Sequence, residues 1–453
     1  MSMPVSYAKR LSLFDATMLV MGGIIGAGIF LNPAVVAQRV STPFLTVGVW
    51  ILGGAVAMAG ALCFAELGAL KPHAGGGYIY LRDAFGPLSG FLYGWTELLV
   101  INSGGIAAVS MTFAFYAVSL AGLPTSATPI IAIGAIAALS GVNYLGITPG
   151  SITQNALTIL KLAALATLIV AGILLTPAAP PAPSLPPAPG GTWSTVRAVG
   201  VSLIPVLFAY GGWQSTNFVA EELRHARRDL PRAILLGTAG VVVVYVLANI
   251  VYVKVLGVPG LASSTAPASD VMRVVVGPAG ATIIAFGIAA STLGFLNLAI
   301  LAAPRVYQTM AADGVFFGRA AVLHPTFRAP TAALLIQGGW AMLLVATRKY
   351  DQLLDYVVFG DWIFFGLVGA SVFYYRTTQP APAAVTGEAH FRLRGYPWVP
   401  SFFVLAAMFA VASTVLSNVR NAALGGAIIA AGIPAFLWWR RSARTGRTAG
   451  GHG

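Results

Sequence analysis

The chain has 453 residues, of which 57% are hydrophobic and only 9% charged, with a mean hydropathy of +0.83. Composition this apolar excludes an ordinary soluble protein and indicates a polytopic membrane protein. The net charge of +13 would suggest a nucleic-acid surface, but set against topology it has a simpler origin.

Apolar stretches of about 20 residues, the length that crosses a bilayer core, are predicted at twelve places, centred near residues 25, 57, 101, 137, 163, 208, 244, 288, 339, 364, 408 and 430. With Lys9 and Arg10 in the cytoplasm and sides alternating at each span, 18 of the 26 Lys and Arg residues fall on the cytoplasmic side, 7 on the other, and Lys161 within a span. The positive-inside rule then predicts both termini in the cytoplasm. The basic excess is a topology signal, and nucleic acid is not an expected partner. The segment LNPAVVAQRV after the first apolar run lacks a small-residue cleavage site, so the first span is expected to be retained.

In chain order the predicted units are a cytoplasmic tail over 1–12, spans one to five over 13–175 and a Pro/Ala-rich extracytoplasmic linker over 176–195. Spans six to ten over 196–376, a cytoplasmic loop over 377–396, spans eleven and twelve over 397–440 and a basic tail over 441–453 complete the chain. The connection APRVYQTMAADGVFFGRAAVLHPTFRAP is long enough for a helix along the interface. Span one is interrupted by GGIIGAGIF (22–30), followed by Asn32 and Pro33. Span six is interrupted by FAYGGWQ (208–214), continuing into Ser215, Thr216 and Asn217. The interruptions are five spans apart; that odd number reverses direction, as an inverted repeat requires. Close helix packing accounts for pairs such as Gly22 and Gly26, but not for Asn32-Pro33 or the matching break in span six. Unwound backbone at these places would leave N–H groups for an anion and carbonyls for a cation. A zwitterion such as an amino acid carries both.

Several ionisable residues lie inside predicted spans, where charge is costly and marks function or a buried partner. Lys161 stands midway in SITQNALTILKLAALATLIV, too deep for simple snorkelling. Glu97 in GWTELLV reads as a structural hydrogen-bonding group. Asp361 in VVFGDWIFF reads either as structural or as a group that shapes selectivity or takes a proton. Glu221 and Glu222, beside Arg224, Arg227 and Arg228, read as a cytoplasmic salt-bridge cluster or a solvated loop. The single cysteine, Cys63, lies within the second span and permits no internal disulfide. The five histidines are scattered over loops and the tail, so neither a metal site nor a cofactor is expected. Convergent catalytic groups are lacking, which argues against an enzyme.

The segments GGIIGAGIFLNP, PHAGGGYIYLRDAFGP, FAYGGWQSTNFVAEEL with RDLPRAI, RVYQTMAADG and FRLRGYPWVP, in this order from about residue 10 to 420, resemble the amino acid-polyamine-organocation transporters, most of all the L-type amino acid transporters and their bacterial relatives. The resemblance implies an all-α LeuT-like fold of twelve transmembrane helices: a 5+5 inverted repeat with helices 1 and 6 broken, plus two peripheral helices. It also implies a substrate site at the midplane formed by Ile24, Ile25, Gly26, Ala27, Gly28, Ile29, Phe208, Ala209, Gly211 and Asp361. In that assignment the N–H groups of Ala27 and Gly28, flanked by Gly26 and Ile29, hold the substrate carboxylate. The carbonyls of Ile24, Phe208 and Gly211 accept from its ammonium. Ala27 replaces the Ser or Thr of many relatives, and Gly22 and Gly23 are assigned to packing. The Phe208 ring is implied as an outer gate, Glu66 as architecture or inner gate, and Lys161 as the occupant of the place where sodium-coupled relatives bind sodium. The expectation is a secondary active transporter of neutral L-amino acids, working by sodium-independent exchange. Proton-coupled symport, transport of cationic amino acids or polyamines, and a membrane sensor without net transport are the alternatives. Expected partners are the amino acid substrate and membrane lipid, with the protein a monomer or weak homo-oligomer in a bacterial inner membrane. AGLPTSATP (121–129) lacks the cysteine through which such transporters join a heavy chain, so no disulfide-linked heavy chain is expected.

Overall fold

The computed structural model describes residues 5–176, 191–347, 350–378 and 391–449, the side chains of 350–358 and 442–449 excepted. Among these residues secondary structure is helical, apart from an isolated parallel bridge between Leu11 and Leu223. Most of the linker read at 176–195 and of the loop read at 377–396 lies outside the described residues.

The first half of the chain comprises α1 (Leu13–Ile24), α2 (Gly28–Arg39), α3 (Pro43–Leu70), α4 (Gly77–Phe85), α5 (Pro87–Thr96), α6 (Asn102–Ala121), α7 (Thr128–Tyr144) and α8 (Ile147–Leu174). The second comprises α9 (Thr192–Ala209), α10 (Ser215–Phe218), α11 (Ala226–Ser263), α12 (Pro267–Val276), α13 (Pro278–Ala302), α14 (Pro304–Ala312), α15 (Thr331–Ala346) and α16 (Tyr350–Thr378). The chain ends in α17 (Trp398–Ser417) and α18 (Val419–Ala449). Among the described residues, nine helical stretches are long and apolar enough to cross a membrane, or ten with α1 and α2 counted as one span bent by 40°. The helix α15 is a shorter apolar helix. Helix α9 begins at Thr192, inside the stretch read as linker.

Local chemistry explains the boundaries that matter. A capping box starts α1: the Ser12 hydroxyl accepts from the Asp15 N–H at 3.3 Å, and the Asp15 carboxylate accepts from the Ser12 N–H at 2.8 Å. The Thr42 hydroxyl likewise caps α3, with Pro43 in the first turn, where its missing N–H costs nothing. Between α5 and α6 the residues Glu97–Ile101 form one π-helical turn, a widening often found at functional places. The second break ends α9 at Ala209, and beyond it the chain forms only the four-residue α10 and a 3-10 turn over Ala220–Glu222 before α11.

The two broken segments lie at the centre of the bundle. Helix α11 packs along both α3 and α1, while α13 packs against α6 and α8. Buried aromatic rings fill the space beside the breaks: Trp50 packs edge-on against Tyr210 and Tyr245, and Trp213 packs against Phe64 and Phe365. In this way the surrounding helices hold irregular backbone inside protein, the setting in which it is tolerated at membrane depth.

Candidate functional site

The backbone at both breaks is unsatisfied in complementary ways. Among the described residues, the N–H groups of Gly26, Ala27, Gly28 and Ile29 have no backbone acceptor, and the first helical pairing after the break is Phe30 N–H to Ala27 C=O at 3.1 Å. These donors form the N-terminal end of α2, where partial positive charge gathers. Opposite them, Gly211 donates its N–H to the Phe208 carbonyl at 3.2 Å, and the Gly211 carbonyl has no backbone donor. A carbonyl carries two lone pairs, so the Phe208 oxygen keeps acceptor capacity.

A cavity of about 130 Å³ lies between these segments. Gly26, Ala27 and Gly28 line it from the first break, and Phe208, Ala209 and Gly211 from the second. Ile101 and Asn102 from the π-helical turn and the start of α6, Phe295 and Leu298 from α13, and Asp361 and Trp362 from α16 close the remaining walls. The arrangement can take an anionic group on the N–H side and a cationic group on the carbonyl side without using a fixed charge for either.

Backbones meet closely here, which is what the glycines permit. A Cβ on Gly28 would stand 2.8 Å from the Ala209 Cβ, and one on Gly23 would stand 2.8 Å from the Gly212 carbonyl oxygen. Gly212 has φ of +117°, a conformation suited to glycine. Gly23 therefore brings one break against the other as well as packing, and it lines the cavity. A Cβ on Gly22 would overlap the Gln154 amide on α8, which agrees with the packing role read for it.

The expected site residues separate into two groups. Ile24, Gly26, Ala27, Gly28, Phe208, Ala209, Gly211 and Asp361 all line the cavity. Ile25 and Ile29 are fully buried and are not among the residues that line the cavity. The turn of the unwound segment points the Ile25 carbonyl at Lys161 and Ser291, which donate to it at 2.7 and 3.2 Å. Lys161 also donates to the Gly22 carbonyl at 2.9 Å, and its side chain is completely buried. The ammonium thus ties α8 to the break in place of a backbone donor, and Gly294 on α13 leaves the room it occupies.

Phe208 remains 42% exposed at the cavity. Glu66 lies away from it: its carboxylate receives Arg376 at 2.5 and 2.7 Å and the Leu393 N–H at 2.9 Å, joining α3 to α16 and to the segment before α17. The acidic-basic cluster read at 221–228 is rearranged. Glu222 pairs with Arg305 at 2.9 and 3.0 Å, both 1% exposed, and Glu221 pairs with His73 at 3.3 Å. Burial pushes the Glu222 carboxyl above its ordinary range, and the Arg305 guanidinium opposes that shift.

Some residues of the site escape the sequence pattern. The Tyr245 hydroxyl on α11 lies 3.0 Å from the Ile24 carbonyl and 3.2 Å from the Ala209 carbonyl, bridging the two breaks. Asn32 donates to the Pro205 carbonyl at 2.7 Å and joins α2 to α9. Asn102 donates to Glu97, which is buried behind the cavity wall. Asp361 keeps one carboxylate oxygen buried without a hydrogen-bond partner. Neighbouring Gly, Asn and Pro residues announce a break, but nothing local marks a tyrosine 36 residues further on as its bridge.

Comparison with known proteins decides the family. The amino acid permease family profile matches residues 11–438. The chain belongs to the amino acid permease family. This permease is 29% identical over 417 residues to the b(0,+)-type amino acid transporter 1 of Mus musculus, covering 91% of its own chain and 84% of that relative. It is 27% identical over 447 residues to the cystine/glutamate transporter of Homo sapiens, covering 97% and 87%. Against the large neutral amino acids transporter small subunit 2 of Mus musculus the identity is 30% over 450 residues, covering 96% and 82%. The family is one of membrane transporters within the amino acid-polyamine-organocation group, not of enzymes.

Proposed function

We propose that this permease is a secondary active transporter of neutral L-amino acids, working by sodium-independent exchange through alternating access. In this reading twelve spans form a 5+5 inverted repeat with two peripheral helices, both termini lie in the cytoplasm, and the substrate sits between the two breaks. Ala27 and Gly28 N–H groups take its carboxylate. The carbonyls of Phe208 and Gly211, with Ile24, take its ammonium, and the Phe208 ring covers it. The observation that carries the reading is the run of N–H groups without backbone acceptors at Gly26–Ile29, beside a cavity that residues of the second break also line. Transport of amino acids is also supported by the relatives' names.

Sodium independence is supported by Lys161. A sodium ion bound at this break would need oxygen ligands, as hard cations do, and the Gly22 and Ile25 carbonyls already accept from the Lys161 side chain. Cys63, the single cysteine, is buried, which supports function without a disulfide-linked heavy chain. A second reading, a cationic substrate or a carried proton, is favoured by Asp361, whose unpartnered oxygen sits in a residue of the cavity wall. A thermal-shift screen of the common amino acids on the purified protein tests both, since a ligand of the folded state raises its stability by mass action. Stabilisation by small neutral amino acids supports the first reading, and stabilisation by lysine, arginine or diamines alone selects the second. A flat screen, with no amino acid shifting the transition, contradicts both.

A further inference from the structure

A second and larger cavity, of about 1040 Å³, opens at the end of the bundle that bears the N-terminal segment, and it shares no residue with the first. Four separate segments wall it: the N-terminal residues, the connection between α3 and α4, the start of α11 with the residues just before it, and Phe391 ahead of α17. Lys9, Arg224, His225, Arg227, Arg228 and Arg232 line it, and the one acidic residue of its lining, Glu221, is engaged by His73. Arg228 is held by Asp229 at 2.7 Å. Lys9, Arg224 and Arg232 have no carboxylate within ion-pair distance among the described residues. A topology rule explains why a connection is basic. It does not explain why cations from distant parts of the chain converge on one concavity, where they repel each other.

The backbone adds to the same field. Helix α11, which is kinked at Gly257, starts at Ala226 with its N-terminus at this cavity, and its His225 cap supplies no side-chain acceptor. The Ala226 N–H has no backbone acceptor, while those of Arg228 and Asp229 pair with the His225 carbonyl. Arginine side chains gathered at a helix start are the donor set that recognises phosphate.

We propose that this basic cavity binds a phosphate-bearing anion, which clamps the N-terminal segment onto the connection between α10 and α11. The segment already lies there. Arg10 and Leu11 donate their N–H groups to the Glu222 carbonyl at 2.9 Å each, and Arg224 donates its N–H to the Leu11 carbonyl at 3.0 Å. The guanidinium of the buried Arg305 lies over the Tyr7 ring. An anion shared by Lys9 and the arginines of 224–232 reinforces that strap, which leads directly into α1 and so into the first break. The phosphate can belong to a lipid headgroup or to a soluble compound such as a nucleotide, because the donor set reads the same group in either. Binding is a property of the cavity and stands whether or not the substrate assignment does.

The test uses the full-length protein in phosphatidylcholine nanodiscs, titrated with pyrophosphate against sodium chloride at matched ionic strength, and in nanodiscs containing phosphatidylglycerol. Pyrophosphate or phosphatidylglycerol is expected to raise the melting temperature by about 2–4 °C. The Arg224→Gln/Arg232→Gln protein loses this response, whereas Arg319→Gln, an exposed arginine outside the cavity, keeps it. A response to pyrophosphate assigns the site to soluble phosphates, and a response to phosphatidylglycerol alone assigns it to lipid. Lys9→Gln, on the N-terminal strap, gives an independent reading with the same expected loss if the double variant does not fold. No response beyond that of chloride, or an equal response in the variants, overturns the proposal.

Discussion

Gly28 has no space for a side chain, a demand that the first break makes where it meets the second. A Cβ there would meet the Ala209 Cβ at 2.8 Å and stand beside the N–H groups assigned to the carboxylate. Gly28→Val is therefore expected to weaken substrate binding by tenfold or more, about 1.4 kcal/mol, measured by calorimetric titration; unchanged affinity would remove Gly28 from the site. Lys161 makes a different demand, because its ammonium replaces backbone donors for the Gly22 and Ile25 carbonyls. Lys161→Ala leaves the buried Gly22 carbonyl without that partner, at roughly 1–3 kcal/mol, while the Ile25 carbonyl keeps Ser291 at 3.2 Å. Uptake should fall more than the amount of folded protein in the membrane, and wild-type uptake per folded molecule would return Lys161 to a packing role. Both residues were legible in the sequence, one as a glycine in a break and the other as a lone cation in an apolar run. The partition between Ile24 and Ile25 was not legible, because the twist of the unwound backbone places Ile24 in the cavity lining and turns the Ile25 carbonyl to Lys161.

Among the elements, the joint between the 3-10 turn at Ala220–Glu222 and the start of α14 buries an ion pair completely. Glu222 and Arg305 are both 1% exposed, and Arg305 also donates to the Leu301 carbonyl. Removing one partner of a buried pair leaves an uncompensated charge, so Arg305→Met should cost about 3–5 kcal/mol. The Glu222→Leu/Arg305→Met double variant, which leaves no lone charge, should recover most of it in thermal denaturation. A single variant as stable as the wild type would show the pair to be incidental. Sequence reasoning placed Glu222 among its arginine neighbours and Arg305 in another connection, because a sequence separation of 83 hides their pairing. The two breaks were legible as elements, since local backbone chemistry writes them into glycine, asparagine and proline. The π-helical turn at Glu97–Ile101 and the Tyr245 bridge depend on tertiary packing and left no such mark.

At the scale of the molecule, the composition announces a membrane bundle, and the family match over residues 11–438 agrees with the ordered motifs along the chain. The proposed activity rests on one geometric relation, two breaks meeting at a single cavity with opposite backbone polarity, supported on one side by Lys161. Replacing sodium by choline should leave the uptake rate unchanged, and a strict sodium requirement would contradict the role given to that ammonium. Counterflow in proteoliposomes tests the central claim most directly: vesicles loaded with excess unlabelled amino acid are diluted into sodium-free buffer holding a trace of the labelled form. The account predicts transient accumulation of label above its external concentration, abolished by Gly28→Val. Binding of the amino acid without accumulation would contradict it and identify a sensor instead.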